Sequence, residues 1–110
     1  MSRAGVFASV ALGLALAGSS IAVGQGPVAV RVEQGGRVFV DNGCYGCHMV
    51  GKLGTPIAPD LSHVGSKYPL EYLERWIRDP LAQRPGAHMP RLELSDGQVR
   101  ALAAYLSSLR

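Results

Sequence analysis

Both cysteines of this 110-residue chain lie in the stretch GCYGCHMVG, residues 43–51, and His48 follows the second one directly. Thiols and an imidazole at this spacing suit four chemistries: a redox disulfide, half of a zinc site, a structural crosslink, or an anchor for haem. A thioredoxin-like dithiol sits beside a βαβ pattern, and no strand-like alternation occurs in the chain. Zinc takes four ligands, commonly from two close pairs, and the neighbours Cys47 and His48 cannot easily both point at one tetrahedral ion. A Cys44–Cys47 disulfide would close a loop too short to constrain the unfolded chain, so it would stabilise little. The pattern Cys-x-x-Cys-His is the attachment sequence for haem c. Two thiols spaced this way on a turn meet the two vinyl groups along one porphyrin edge. The following histidine then lies under the iron and ligates it through a ring nitrogen.

The flanking sequence has to supply a compartment and a scaffold for that chemistry. Residues 1–24 begin with one positive charge, Arg3, and continue through the apolar run VFASVALGLALA to small residues at Ala17 and Gly24. This is the layout of a secretory signal peptide. Retention as an anchor is the other reading, because no charge occurs between Arg3 and Arg31 and a membrane helix needs roughly 20 apolar residues. Either way residues 25–110 are expected to be exported. That remainder is small for a self-sufficient core, with Trp76, Phe39 and four tyrosines as its large side chains. A large, flat, apolar haem would complete such a core. Eleven Lys and Arg against eight Asp and Glu, scattered along the chain, give no basic patch for nucleic acid.

The elements that must position the motif are helical. A first helix is expected over residues 32–41, with Val38 and Phe39 on its apolar face. Gly35 and Gly36 lower its propensity by about 1 kcal/mol each, and this favours close approach by another element. Asn42-Gly43 can end it just before Cys44. The Gly- and Pro-rich segment 51–66 reads as a wrapping loop. A second helix starts near Pro69 and carries Leu70, Leu73 and Ile77 on one stripe, with Tyr72 and Trp76 beside it. Pro80 stops it, and residues 81–94 read as loop. The last helix is capped by Ser95, with Gln98 completing a capping box and Leu94 and Val99 placed as a hydrophobic staple. Val99, Leu102, Ala103, Leu106 and Leu109 form its apolar stripe.

Taken in order, GGRVFVDNGCYGCH, APDLSHVG, WIRDP, PGAHMP and LSDGQVRALAAYLSSL resemble a class I c-type cytochrome from about Gly35 to Leu109. The resemblance implies an all-α, cytochrome c-like fold of short helices and long loops around one covalently attached haem c. The WIRDP and PGAHMP portion is similar to cytochrome c domains associated with respiratory oxidases and other periplasmic redox complexes. Ala58 departs from the family, which often has Gly before the proline.

Within this resemblance Cys44 and Cys47 are the thioether anchors and His48 is one axial ligand of the iron. Met49, His63, His88 and Met89 are the candidates for the other. Met49 adjoins His48 on the same side of the ring, and His63 falls in the loop expected near that side. Met89 lies between Pro85 and Pro90, which stiffen its segment. Packing is what a methionine there would otherwise do. The family pattern makes Met89 the ligand, with His88 as the alternative. It also implies that the Pro59 carbonyl accepts the proton of the proximal ring, that Leu61 and Leu73 pack on the haem, and that Trp76 donates its N–H to a haem propionate. The expected function is single-electron transfer between redox proteins, including a membrane-bound oxidase or other respiratory complex, by a domain that is not itself an enzyme. The membrane is a partner only if the N-terminal segment is retained. A haem enzyme or gas-binding protein with an open sixth position, and a fixed subunit of a larger complex, are the competing functions.

Overall fold

A computed structural model describes Gly5, residues 9–13 and residues 27–110. The leader expected over residues 1–24 therefore lies largely outside the described residues. Among these residues no helix is long and apolar enough to cross a membrane. The chain runs as α1 (Val28–Asp41), a 3-10 turn (Cys44–Gly46), β1 (Met49–Val50), β2 (Leu53–Gly54), α2 (Val64–Lys67), α3 (Leu70–Arg78), α4 (Pro80–Gln83) and α5 (Asp96–Ser108). The architecture is the all-α one expected, with one addition. Met49 pairs with Gly54 and Val50 with Leu53 in a two-residue antiparallel ladder, too short to show as alternation in the sequence.

Helix α5 is the centre of the fold. Ser95 caps it through its hydroxyl, which accepts from the Gln98 N–H at 3.1 Å, and Gln98 Oε1 accepts from the Ser95 N–H at 2.9 Å. Its stripe is buried as the spacing requires: Val99, Leu102, Ala103 and Leu106 join Phe39 of α1, Val64 of α2, and Leu73 and Ile77 of α3 in one core. Each large apolar side chain fully buried there contributes about 1.5–3 kcal/mol. Leu94 packs against the same core from just before the cap, as the staple predicts. At the surface Arg78 Nη1 donates to Asp96 Oδ1 at 2.6 Å, tying the end of α3 to the start of α5. That bond holds the Asp96 carboxyl below its ordinary range, although an exposed pair of this kind adds little stability.

Helices α1 and α5 touch backbone to backbone. A Cβ on Gly35 would overlap the Ala101 carbonyl and sit 2.6 Å from Tyr105 Cβ. The glycine is buried because nothing larger fits between the two helices. Phe39 lies one turn further along, 5.5 Å from the Tyr105 ring and edge-on to the Tyr45 ring at 4.7 Å. Phe39 thus joins α1, α5 and the cysteine turn in one aromatic cluster. Burial and the neighbouring Tyr45 hydroxyl push the Tyr105 phenol up to about 12, so it stays protonated throughout the physiological range.

Two boundaries differ from the sequence reading. Helix α1 begins at Val28 rather than Val32, immediately after Pro27. Its first turn has no side-chain cap, and Val28 and Val30 are exposed, so neither of the usual starting signals was present. Pro80 ends α3 as expected but also opens α4 as its first residue, with Asp79 accepting from the Ala82 N–H at 3.3 Å. The helical turn α2 overlaps the end of the stretch read as loop and runs one residue past it.

Gly35→Ala should gain about 1 kcal/mol of helix propensity and lose more by forcing the two backbones apart, since overpacking costs about 1–3 kcal/mol. A net loss of stability in denaturant unfolding is expected. A more stable variant would show that the helices do not touch there.

Candidate haem site

The cysteine turn is built by its own backbone. The Cys44 carbonyl accepts from both the Cys47 N–H at 3.2 Å and the His48 N–H at 2.9 Å. No disulfide joins the two sulfurs, and Cys44 is partly buried and Cys47 exposed. Burial pushes the Cys44 thiol up. No three His, Cys, Asp or Glu side chains among the described residues converge as a zinc site requires.

The loop after the ladder is stitched back onto this turn. The Cys47 carbonyl accepts from Ala58 N–H at 2.7 Å and from Ile57 N–H at 3.2 Å, and the Met49 carbonyl accepts from Leu61 N–H at 2.9 Å. Asp60 Oδ1 accepts from the Ser62 N–H, and Ser62 Oγ accepts from the Gly51 N–H, both at 2.8 Å. The hydrogen bonds to Asp60 hold its carboxyl below the ordinary range. Sequence reasoning passed over this Asp-Leu-Ser clamp, although Asp two residues before its backbone donor is a recognisable turn pattern.

These bonds place Pro59 against His48. Nδ1 of His48 lies 2.7 Å from the Pro59 carbonyl. A carbonyl only accepts, so Nδ1 carries the ring proton and Nε2 is left with its lone pair. The imidazole is thus oriented by a backbone acceptor, the arrangement found behind metal-bound histidines. Ala58, the departure from the family pattern, removes no bond from this loop, since its own N–H is one of those held by Cys47.

On the opposite stretch of chain, Met89 is half-buried and His88 exposed. The Trp76 Nε1–H donates to Met89 Sδ at 3.1 Å. The family resemblance implies a haem propionate as the partner of this N–H. Thirteen residues and a proline-rich turn separate the two side chains, so no local pattern announces the contact. His63 is exposed at the start of α2, Leu61 is half-buried against the core, and Leu73 is fully within it. Two grooves, of about 700 and 410 Å³, are lined by other residues. Leu53 and Ile57 in the loop beside His48 are 64% and 74% exposed. Exposed apolar side chains beside the His48 imidazole and the two cysteine sulfurs suit a large apolar ligand that carries a metal.

The cytochrome c family model matches residues 32–110. The chain belongs to the cytochrome c family. It is therefore a haem-based electron-transfer domain, and the residues around His48 fit that cofactor: thiols for covalent anchoring, a lone pair on Nε2 for iron, and uncovered apolar surface. The chain is 38% identical to cytochrome c oxidase subunit 2 of Alkalihalophilus pseudofirmus over 93 residues, which covers 76% of this chain and 27% of that one. It is 31% identical to the same subunit of Bacillus sp. strain PS3 over 94 residues, or 72% of this chain and 26% of that one. A nitric oxide reductase subunit of Stutzerimonas stutzeri is 32% identical over 81 residues, 68% of this chain and 56% of that one. The chain thus spans about a quarter of the oxidase subunits and just over half of the reductase subunit.

Gly54 lies directly against His48, with φ +111° and a position where a Cβ would overlap the His48 carbonyl. Gly54→Ala should cost of order 1–3 kcal/mol for the strained backbone alone and should perturb the haem absorption spectrum. A variant with unchanged stability and spectrum would show that the ladder does not hold His48.

Proposed function

We propose that this chain is an exported monohaem electron carrier whose iron is held between His48 Nε2 and Met89 Sδ, with Cys44 and Cys47 as its covalent anchors. The observation that carries the proposal is the His48 ring proton held on the Pro59 carbonyl, which leaves one basic nitrogen for iron directly after the second cysteine. The bound haem supplies a ferric/ferrous couple; the chain supplies its fixed surroundings. Pro59 keeps the imidazole in one tautomer and one orientation, Leu61 two residues on packs against the core, and Met89 presents a thioether from a segment stiffened by Pro85 and Pro90. A thioether opposite histidine favours reduced iron and raises the potential. One attachment motif in the chain supports one haem.

Membership of the cytochrome c family supports the carrier reading. Electrons then pass to and from redox proteins, and the domain itself performs no reaction on a small substrate. The relatives are named as parts of an oxidase and a reductase. That supports a second reading with the same chemistry, in which the domain serves one respiratory complex outside the cytoplasm, tethered by residues 1–24 where these are retained.

Met89→Ala should abolish the weak near-infrared charge-transfer band that a thioether gives ferric haem iron. It should also lower the midpoint potential and let the ferrous protein bind carbon monoxide markedly faster. His88→Ala should leave all three unchanged. Rapid carbon monoxide binding by the unaltered protein would instead identify an open site, and loss of the native spectrum in His88→Ala would make His88 the ligand.

A further inference from the structure

Asn42 is the only asparagine in the chain, and a glycine follows it directly. Each has a structural reason to be there. Asn42 ends α1: its N–H and its Nδ2–H both donate to the Val38 carbonyl, at 3.1 and 2.8 Å. Gly43 has φ +70°, the left-handed conformation in which chains leave helices and which side chains resist. Its N–H donates to the Val40 carbonyl at 3.1 Å, and its carbonyl accepts from the Gly46 N–H at 2.8 Å. The pair thus joins the first helix to the cysteine turn.

An Asn-Gly bond carries a chemistry of its own. Once a base in the solvent takes its proton, the glycine nitrogen can attack the asparagine Cγ. A C–N bond forms, the bond from Cγ to Nδ2 breaks, and ammonia leaves. Water then opens the five-membered imide at either carbonyl, which gives aspartate or isoaspartate with no redox step. Glycine hinders the attack least of all following residues, because it has no Cβ. Asn42 and Gly43 are both exposed, and nothing lies within 4 Å of the position a Gly43 Cβ would take. Solvent therefore reaches both reacting groups. What opposes the reaction is the helix cap. The attacking nitrogen has its proton on the Val40 carbonyl and the leaving nitrogen is tied to the Val38 carbonyl, so both bonds must open before the ring closes.

We propose that Asn42-Gly43 is a deamidation site gated by folding, held shut by the cap of α1 and reactive in chains whose first helix has not formed. The products do not fit the cap. A carboxylate has no N–H for Val38, stands beside Asp41, and puts negative charge at a helix C-terminus, where the dipole disfavours it. Isoaspartate also adds a backbone carbon between α1 and Cys44, which shifts the cysteine turn relative to Phe39. The site therefore records time spent unfolded.

The test uses the haem-loaded protein, incubated at one pH and temperature in native buffer and in guanidinium chloride. A synthetic peptide of residues 38–52 with blocked cysteines gives the rate with no fold. Trypsin releases the same residues, with the haem, from the protein, and mass spectrometry reads conversion of amide to acid. The denatured protein and the peptide should convert at similar rates, and the native protein about tenfold more slowly or less, because attack requires local opening. Equal rates in the native and denatured protein overturn the gate. No conversion in either the peptide or the denatured protein overturns the site. Asn42→Asp makes one product directly and should unfold at a lower denaturant concentration than the unaltered protein. An Asn42→Asp protein of undiminished stability overturns the claim that the product breaks the cap.

Discussion

The backbone contact between α1 and α5 at Gly35 is the constraint on which the other elements depend. With no side chain at that point the helices close until Gly35 meets the Ala101 carbonyl, and only at that separation can Phe39 reach both Tyr105 and Tyr45. Tyr45 lies between the two cysteines, so the helix crossing fixes the attachment turn. The same α5 surface receives Val64, Leu73 and Ile77, which set α2 and α3. One small residue therefore positions the segments on both sides of the site.

From that frame two loops deliver the proposed ligands in different ways. The loop carrying Pro59 is tied to the cysteine turn by backbone hydrogen bonds from Ile57, Ala58 and Leu61, so the imidazole inherits the rigidity of the turn. The segment carrying Met89 has few such bonds. Its stiffness comes from two prolines and from a single side-chain contact to Trp76. The histidine side is thus over-determined and the methionine side adjustable. That asymmetry suits the proposed carrier: the histidine side would hold the iron in place, and small changes on the methionine side would tune how readily it is oxidised.

Much of this was legible in the sequence because the signals were local. Cys44, Cys47 and His48 fall within five residues, Ser95 and Gln98 lie within one turn, and the α5 stripe repeats at helical spacing, so each could be read without knowing the fold. Gly35 was readable as a close approach, because glycines inside a helix need a packing reason. What escaped depends on through-space meetings or on weak endings. The Trp76–Met89 bond joins residues from different elements, the Met49–Gly54 ladder is too short for a period to register, and the uncapped first turn of α1 offers no start signal. Asp60 and Ser62 form a clamp whose turn pattern was visible but whose partner, Gly51, was not.

The central claim is that the Met89 sulfur faces iron from the side opposite His48. Carbon-13 labelling of the methionine methyl groups in the reduced, diamagnetic protein tests it most directly, because a methyl held over the centre of a porphyrin is shifted strongly upfield by the ring current. The account predicts one such methyl resonance, lost in Met89→Leu and kept in Met49→Leu. No strongly upfield methyl, or one that disappears with Met49 instead, would contradict it.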